Sequence, residues 1–329
     1  MKQKSLFIVS LDFELFWGVR DKRTLENYGR NIRGVRDVIP SLLHLFHHYG
    51  INATFATVGF LFARNKNELL EYFPSLLPQY SRKKYSPYDN SYFDSVGFSE
   101  QDDICHYASS LIALIQQYAG QEIASHTFSH FYCLEGASLA SFEADLTAAK
   151  NIALQYGIEL RSIVFPRNQY TPQHIDTCHK LGFIAYRGNQ VSPAYRPRKS
   201  DEQNRLIRAT RFADSYLNLT GHHTFNIEHG LDGMINIPAS RFLRPYSPKL
   251  KMIDTIRLKR IERSMTYAAQ HNQCYHLWWH PHNFGVNLSE NLFLLEEILK
   301  HYKKLHEQFG MQSKNMKTIA QEILTPHAV

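Results

Sequence analysis

Short apolar runs recur along this chain, each followed by a polar turn and then by a stretch with helical spacing of its apolar residues. The runs cover 5–11, 52–58, 120–125, 161–165, 183–187, 233–237 and 274–279. Runs this short, bounded by polar residues, Gly or Pro, predict strands rather than helices. The helical stretches carry their own stop and start signals. The segment 31–49 ends at Gly50 and 138–156 ends at Gly157, where a glycine can take the left-handed conformation of a helix C-cap. The segment 172–181 opens on Pro172, whose missing N–H costs nothing at a first helical position. Two amphipathic stretches, 288–308 and 314–325, predict C-terminal helices that close the domain. Strand–helix alternation over seven strands predicts one α/β domain across residues 1–329 with a mainly parallel sheet, either open or closed into a barrel.

Two regions interrupt the rhythm. Residues 66–100 form a long insertion that includes Tyr80, Tyr85, Tyr88, Tyr92 and Phe93. A loop of that length is expected either to border a substrate cleft, its aromatic rings stacking on sugars, or to pack a small core of its own. Residues 188–230 are rich in turns. The arginines at 187, 196, 198, 205, 208 and 211 read by default as solvated charges.

In parallel α/β folds, reactive groups gather at the C-terminal ends of the strands. Asp12 and Glu14 follow the first run, His126 the third, Pro166 and Arg167 the fourth, Arg241 the sixth, and His280 and His282 the seventh. Five strand ends thus carry groups suited to metal-assisted hydrolysis. His126 and His130 are separated by three residues; on a helix they would share a face with Cβ atoms about 5–6 Å apart. Two neutral imidazoles at that separation can reach one divalent ion. Asp12 and Glu14 alternate along a strand end, so both can face one site while Phe13 turns away.

Composition narrows the picture. A hydrophobic content of 43% with 20% charged residues describes an ordinary globular chain, and no run approaches the roughly 18 apolar residues of a membrane span. The first apolar run ends in carboxylates, which suits a strand better than a signal peptide, so the expected compartment is the cytoplasm. Cys105, Cys133, Cys178 and Cys274 form no CxxC pair and are expected as reduced thiols. The formal charge of +7 suits anionic partners such as nucleotide sugars, acidic glycans or lipid phosphates. Lys and Arg are scattered without a recognition motif, so nucleic acid is not an expected partner. Thr127 after the first histidine excludes a zincin, and no GxSxG, P-loop or GxGxxG occurs. Two histidines and a carboxylate also describe a non-haem iron triad, but that arrangement belongs with antiparallel folds.

Taken together, these motifs resemble the polysaccharide deacetylase superfamily, carbohydrate esterase family four. Leu11-Asp12-Phe13-Glu14 is similar to its first motif and Glu122-Ile123-Ala124-Ser125-His126-Thr127-Phe128-Ser129-His130 to its second. Val164-Phe165-Pro166-Arg167-Asn168-Gln169-Tyr170 stands where the third belongs, and Trp279-His280-Pro281 resembles the fifth. The resemblance spans residues 5–285. Glu14 stands where the family usually has a second aspartate, and Arg167 follows its proline where the family places arginine before it.

The resemblance implies a deformed (β/α) barrel of about seven mainly parallel strands. It implies one divalent ion, zinc first, with cobalt, nickel or iron also admitted by these ligand types. Glu14, His126 and His130 would hold it. Asp12 would act as base, Arg167 would orient Asp12, and His280, the histidine before proline, would be the acid. Pro166, Tyr170, Arg241 and His282 would meet substrate. The implied reaction removes an N-acetyl or related acyl group from a sugar or sugar nucleotide, with a surface-polysaccharide precursor as the expected substrate. The alternatives are a non-catalytic glycan-binding protein of the same fold and a hydrolase acting on a cyclic amide.

Overall fold

The structure, a computed structural model, describes residues 4–325 apart from 89, 191, 200, 201, 203, 204 and 229–232. Its strands are β1 (Leu6–Phe13), β2 (Ala53–Thr57), β3 (Glu122–Ser125), β4 (Ser162–Ile163), β5 (Ala185–Tyr186), β6 (Ile235–Asn236), β7 (Arg241–Phe242), β8 (Cys274–Trp279) and β9 (Gln312–Ser313). Each of the seven predicted runs holds a strand. β7 and β9 lie outside the predicted runs, since the residues around Arg241–Phe242 and Gln312–Ser313 form no apolar run.

The pairings between these strands are parallel, in the order β6-β5-β4-β3-β2-β1-β8-β7. β9 pairs with Leu6 and Phe7 of β1, below the point where β2 begins its pairing at Val9. The sheet curls into a deformed barrel. One continuous segment spans its two ends: Ile237 and Ala239 donate their amides to Tyr186 and Gly188 beyond β5, while Ser240 and Leu243 donate to His276 and Trp278 of β8.

The helices are α1 (Leu25–Arg33), α2 (Val35–Tyr49), α3 (Lys66–Glu71), α4 (Asn90–Asp94), α5 (Ser109–Gln116), α6 (Leu139–Gln155), α7 (Pro172–Lys180), α8 (Arg205–Asp214), α9 (Asp254–Gln270), α10 (Leu288–Phe309) and α11 (Met316–Leu324). The predicted punctuation is present. Gly50 ends α2 with φ +66°, Gly157 follows the end of α6 with φ +68°, and Pro172 opens α7. α9 escaped the sequence pattern because its inner face includes Arg257 and Arg260, both buried. Among the described residues no helix is long and apolar enough to cross a membrane.

All eight residues of β1 are buried, as expected of a central strand covered on both faces. Phe7, Val9, Leu11 and Phe13 belong to the large outer core with α2 and α6. On the other face, Leu6 and Ile8 pack with Val164, Ala185, Ile235 and Ile237. Met316, Ile319 and Ala320 of α11 join this inner cluster and plug the N-terminal end of the barrel. The Glu122 carboxylate anchors the plug by accepting the Lys317 amide at 2.9 Å and the Thr54 hydroxyl at 2.8 Å. Continuing up the inner face of β1, the next residues are Ser10 and Asp12. The barrel interior is therefore apolar at the bottom and polar at the C-terminal rim.

The insertion 66–100 packs inward. Phe73 lies 5.0 Å from Tyr88 and 5.1 Å from Phe93 between ring centroids, and Tyr80 and Tyr85 pack against Tyr132. Of the two expectations for this insertion the rings follow inward packing: Phe93 joins the large core, and Phe73, Tyr88 and Tyr92 pack against it. The four cysteines are buried and none is in a disulfide.

Candidate metal centre and cleft

His126 follows β3 directly, and its amide donates to the Thr57 carbonyl of β2. The segment to His130 is not helical. Thr127 and His130 take φ +62° and +58°, a left-handed conformation that costs a non-glycine residue about 1–3 kcal/mol. The surroundings hold this turn. The buried Asp145 carboxylate on α6 accepts the amides of Phe128 (2.7 Å) and Ser129 (3.2 Å) and the Ser129 hydroxyl. The amides of Gly59 and Phe60 donate to the carbonyls of Thr127 and Phe128. A Cβ at Gly59 would lie 2.8 Å from the Phe128 backbone, so glycine is required for that approach. The turn brings the two imidazole centroids to 5.1 Å by a route other than a helix face.

Glu14 completes the group. Its Oε2 lies 3.3 Å from His126 Nε2 and 3.0 Å from His130 Nε2, and all three residues are buried. The donor chemistry fits a divalent ion. His126 donates Nδ1–H to the Val164 carbonyl at 2.8 Å, which leaves the Nε2 lone pair facing Glu14. Burial pulls His130 down to about 4, against the attraction of Glu14, so it is neutral at pH 7 with a lone pair to offer. Burial pushes the Glu14 carboxyl up, but the surrounding His280, His130 and His126 hold it well below the usual carboxylate range. Two imidazoles and a carboxylate with open positions are the donor set of a catalytic zinc-type site. Gly18 leaves room for this arrangement, since a Cβ there would stand 1.9 Å from Glu14 Cδ.

Asp12 is held by a different arginine from the one expected. Arg187 Nη1 donates to Asp12 Oδ1 at 2.6 Å and Nη2 to Oδ2 at 2.8 Å, a bidentate fork with both residues buried. The same guanidinium reaches Ser10 Oγ and Asn168 Oδ1 and lies over the Trp278 ring. Behind it, His276 Nε2 meets Ser10 Oγ at 2.8 Å while Nδ1 faces the carbonyls of Ile237 and Pro238. Burial would raise the Asp12 carboxyl, but the Arg187 charge overrides it and keeps the pKa low. Arg167 instead pairs with Asp21 at 2.5 Å, faces Glu135 at 3.8 Å and lies over the Tyr132 ring. The role expected of Arg167 at Asp12 thus passes to Arg187. Arg187 closes the fifth predicted run, so the strand-end rule that selected Arg167 selects it equally; counting it among the loop arginines hid it.

The remaining candidates separate clearly. His280 Nε2 is 3.8 Å from both Asp12 Oδ2 and Glu14 Oε1, and its Nδ1 meets Asn283 Oδ1 at 3.2 Å. His282 stacks behind His280 with centroids 5.0 Å apart, and burial together with His280 pulls it down to about 3. Arg241 is buried and bound to Asp214 through a 2.8 Å ion pair. Pro166 is buried, and Tyr170 stacks on Phe165 with its hydroxyl accepting the Asn189 amide. Neither lines the cleft.

The cleft has two cavities. One, of about 340 Å³, exposes Asp12, Glu14, His130, His280 and His282 together with Lys22, Arg23 and Tyr28. The other, of about 270 Å³, adjoins it across Arg167, Asn168, Phe242, Trp278 and His280, which line both.

The chain is an α/β domain: a curled parallel barrel with a His–His–carboxylate group at its C-terminal rim. More narrowly, the chain has the fold of the polysaccharide deacetylase superfamily. It superposes on a candidate polysaccharide deacetylase from Mycobacterium smegmatis with TM-score 0.62 at 12% identity, covering 100% of this chain and 94% of that one. A candidate polysaccharide deacetylase from Pseudomonas aeruginosa PAO1 gives TM-score 0.55 at 10% identity, covering 99% and 92%. Puue allantoinase gives 0.55 at 11%, covering 100% and 93%. At these identities the likeness is one of fold. No family model and no curated protein matches the sequence.

Two outcomes are expected. Gly18→Ala should displace the Glu14 carboxylate and lower the zinc retained per chain after loading and dialysis, with the far-UV spectrum unchanged; full zinc content would show that Glu14 is not a ligand. Arg187→Ala should destabilise the protein by about 3–5 kcal/mol in urea unfolding, the cost of leaving a buried carboxylate unpaired, and a change under 1 kcal/mol would contradict the pairing.

Proposed function

We propose that this protein is a metal-dependent amide hydrolase that removes an N-acetyl or related acyl group from a sugar. The observation that carries this reading is the joint placement at one rim of the Glu14–His126–His130 group, an ionised Asp12 and His280. When bound, the divalent ion would supply Lewis acidity to the scissile carbonyl and to an attacking water. Zinc suits two imidazoles and a carboxylate, and cobalt, nickel or iron suit them as well.

The chain's own residues divide the remaining work. Asp12 keeps free lone pairs toward the cavity while the Arg187 fork fixes its orientation, so it can accept a proton from water during attack. Its lowered pKa makes it a weak base, suited to a water acidified by its neighbour. His280 stands on the far side of both carboxylates, with Nδ1–H directed to Asn283 and Nε2 toward the cavity. A proton held on Nε2 is placed for transfer to the departing amine, which leaves poorly without one. His282, enclosed behind His280, packs and shapes the wall. Arg167, with Tyr132 under it, borders the substrate space.

The test is release of acetate or formate from N-acylated hexosamines by zinc-loaded protein. Asp12→Asn and His280→Ala should each keep one metal per chain and lose roughly 10²–10⁴ in kcat. His282→Ala should stay within tenfold of the parent. A dead His282 variant beside an active His280 variant would reverse the assignment. Binding of glycans with no amide cleavage by any loaded form would favour a non-catalytic role, and cleavage of a cyclic amide alone would move the substrate class.

A further inference from the structure

Among the described residues, six arginines, Arg167, Arg196, Arg198, Arg211, Arg241 and Arg244, line the cavity beside His280, and no Asp or Glu does. Arg167 and Arg241 have carboxylate partners in Asp21 and Asp214. Among the described residues the other four have none. Arg198 donates to the carbonyls of Pro193 and Ala194, and Arg211 donates Nε–H to the Ala194 carbonyl. Arg244 lies over the Phe212 ring, 5.1 Å from its centroid. Gathering partly desolvated guanidinium groups without counter-charge is unfavourable, and the strain shows at two of them. Burial lowers the pKa of Arg211 and Arg244, and neighbouring arginines lower both further. Such a cluster is stabilised when an anion enters, and the planar guanidinium fork matches phosphate oxygens two at a time.

The location specifies what carries the anion. His280 and Trp278 line both cavities, so a ligand with its acyl group at the Glu14–His126–His130 centre extends its other end among the arginines. Four guanidiniums without carboxylate partners exceed what one carboxylate can neutralise and suit the several charges of a phosphate ester. Resting on the deacylase reading above, we infer that the substrate is a glycosyl phosphate or diphosphate, an N-acyl sugar whose phosphate is bound by the arginine cavity. Nucleotide and polyprenyl carriers share that chemistry.

Titration calorimetry of the zinc-loaded full chain with glucose 1-phosphate, UDP-glucose and glucose tests this, because none of the three has an amide to cleave. Both phosphorylated sugars should bind and glucose should not. The Arg196→Gln/Arg244→Gln variant should weaken binding at least tenfold while keeping its metal and its Tm. The single Arg196→Gln change, at an exposed side chain, should weaken it in the same direction and serves if the double variant fails to fold. UDP-glucose binding much tighter than glucose 1-phosphate supports a nucleotide carrier. Equal affinity, with competition by a short polyprenyl phosphate in detergent, supports a lipid one. Absence of binding at millimolar concentration, or equal binding by parent and both variants, overturns the inference. Turnover of neutral N-acyl sugars without phosphate binding would leave the deacylase reading intact and remove this one; arginine-dependent phosphate binding without any amide cleavage would do the reverse.

Discussion

The bidentate contact between Arg187 and Asp12 is the interaction on which the rim depends. Asp12 and Glu14 are both buried, and both lie within 3.8 Å of the same nitrogen of His280. Two carboxylates so placed would ordinarily share a proton, one of them forced neutral by repulsion and desolvation. The guanidinium cancels that tendency at Asp12, and the imidazoles cancel it at Glu14. Each carboxylate thereby has its own cation or donors and its own role. The arrangement is costly to assemble and costlier to break in half, which explains the layers behind it: Ser10, Asn168, Trp278 and His276 all fix the guanidinium or its neighbours.

The second constraint is backbone geometry. The histidine segment reaches its shape through two left-handed non-glycine residues, held from one side by Asp145 and from the other by the chain after β2. Gly59 permits the close approach and Gly18 leaves space for the Glu14 carboxylate. Neither glycine touches substrate space through a side chain, yet both set where the donors stand. The barrel supports them from below through an apolar interior closed by α11.

Much of this was legible in the sequence. Seven apolar runs marked seven strands, and the helix boundaries at Gly50, Gly157 and Pro172 fell where the punctuation placed them, because local chemistry determines both features. The candidate ligands were legible because strand ends in a parallel fold converge on one rim. What was hidden depends on long-range contact. Arg187 sits 175 positions from Asp12 in sequence, so its place at a strand end marks it as a rim residue but does not name the carboxylate it holds. Tyr80 to Phe93 looked like a sugar platform because aromatic residues beside polar ones have the same composition whether they stack on a ligand or on each other. The turn at Thr127 was missed because HxxxH spacing is read most simply as a helix.

The central claim is that Glu14, His126 and His130 form one metal centre while Asp12 remains outside it, bound to Arg187. A crystal structure of zinc-loaded protein, with anomalous diffraction measured on either side of the zinc edge, tests it most directly. One strong anomalous peak is expected about 2.0–2.2 Å from the two Nε2 atoms and a Glu14 oxygen, with the Arg187 fork on Asp12 intact. A peak elsewhere, or one that Asp12 ligates after leaving Arg187, would contradict it.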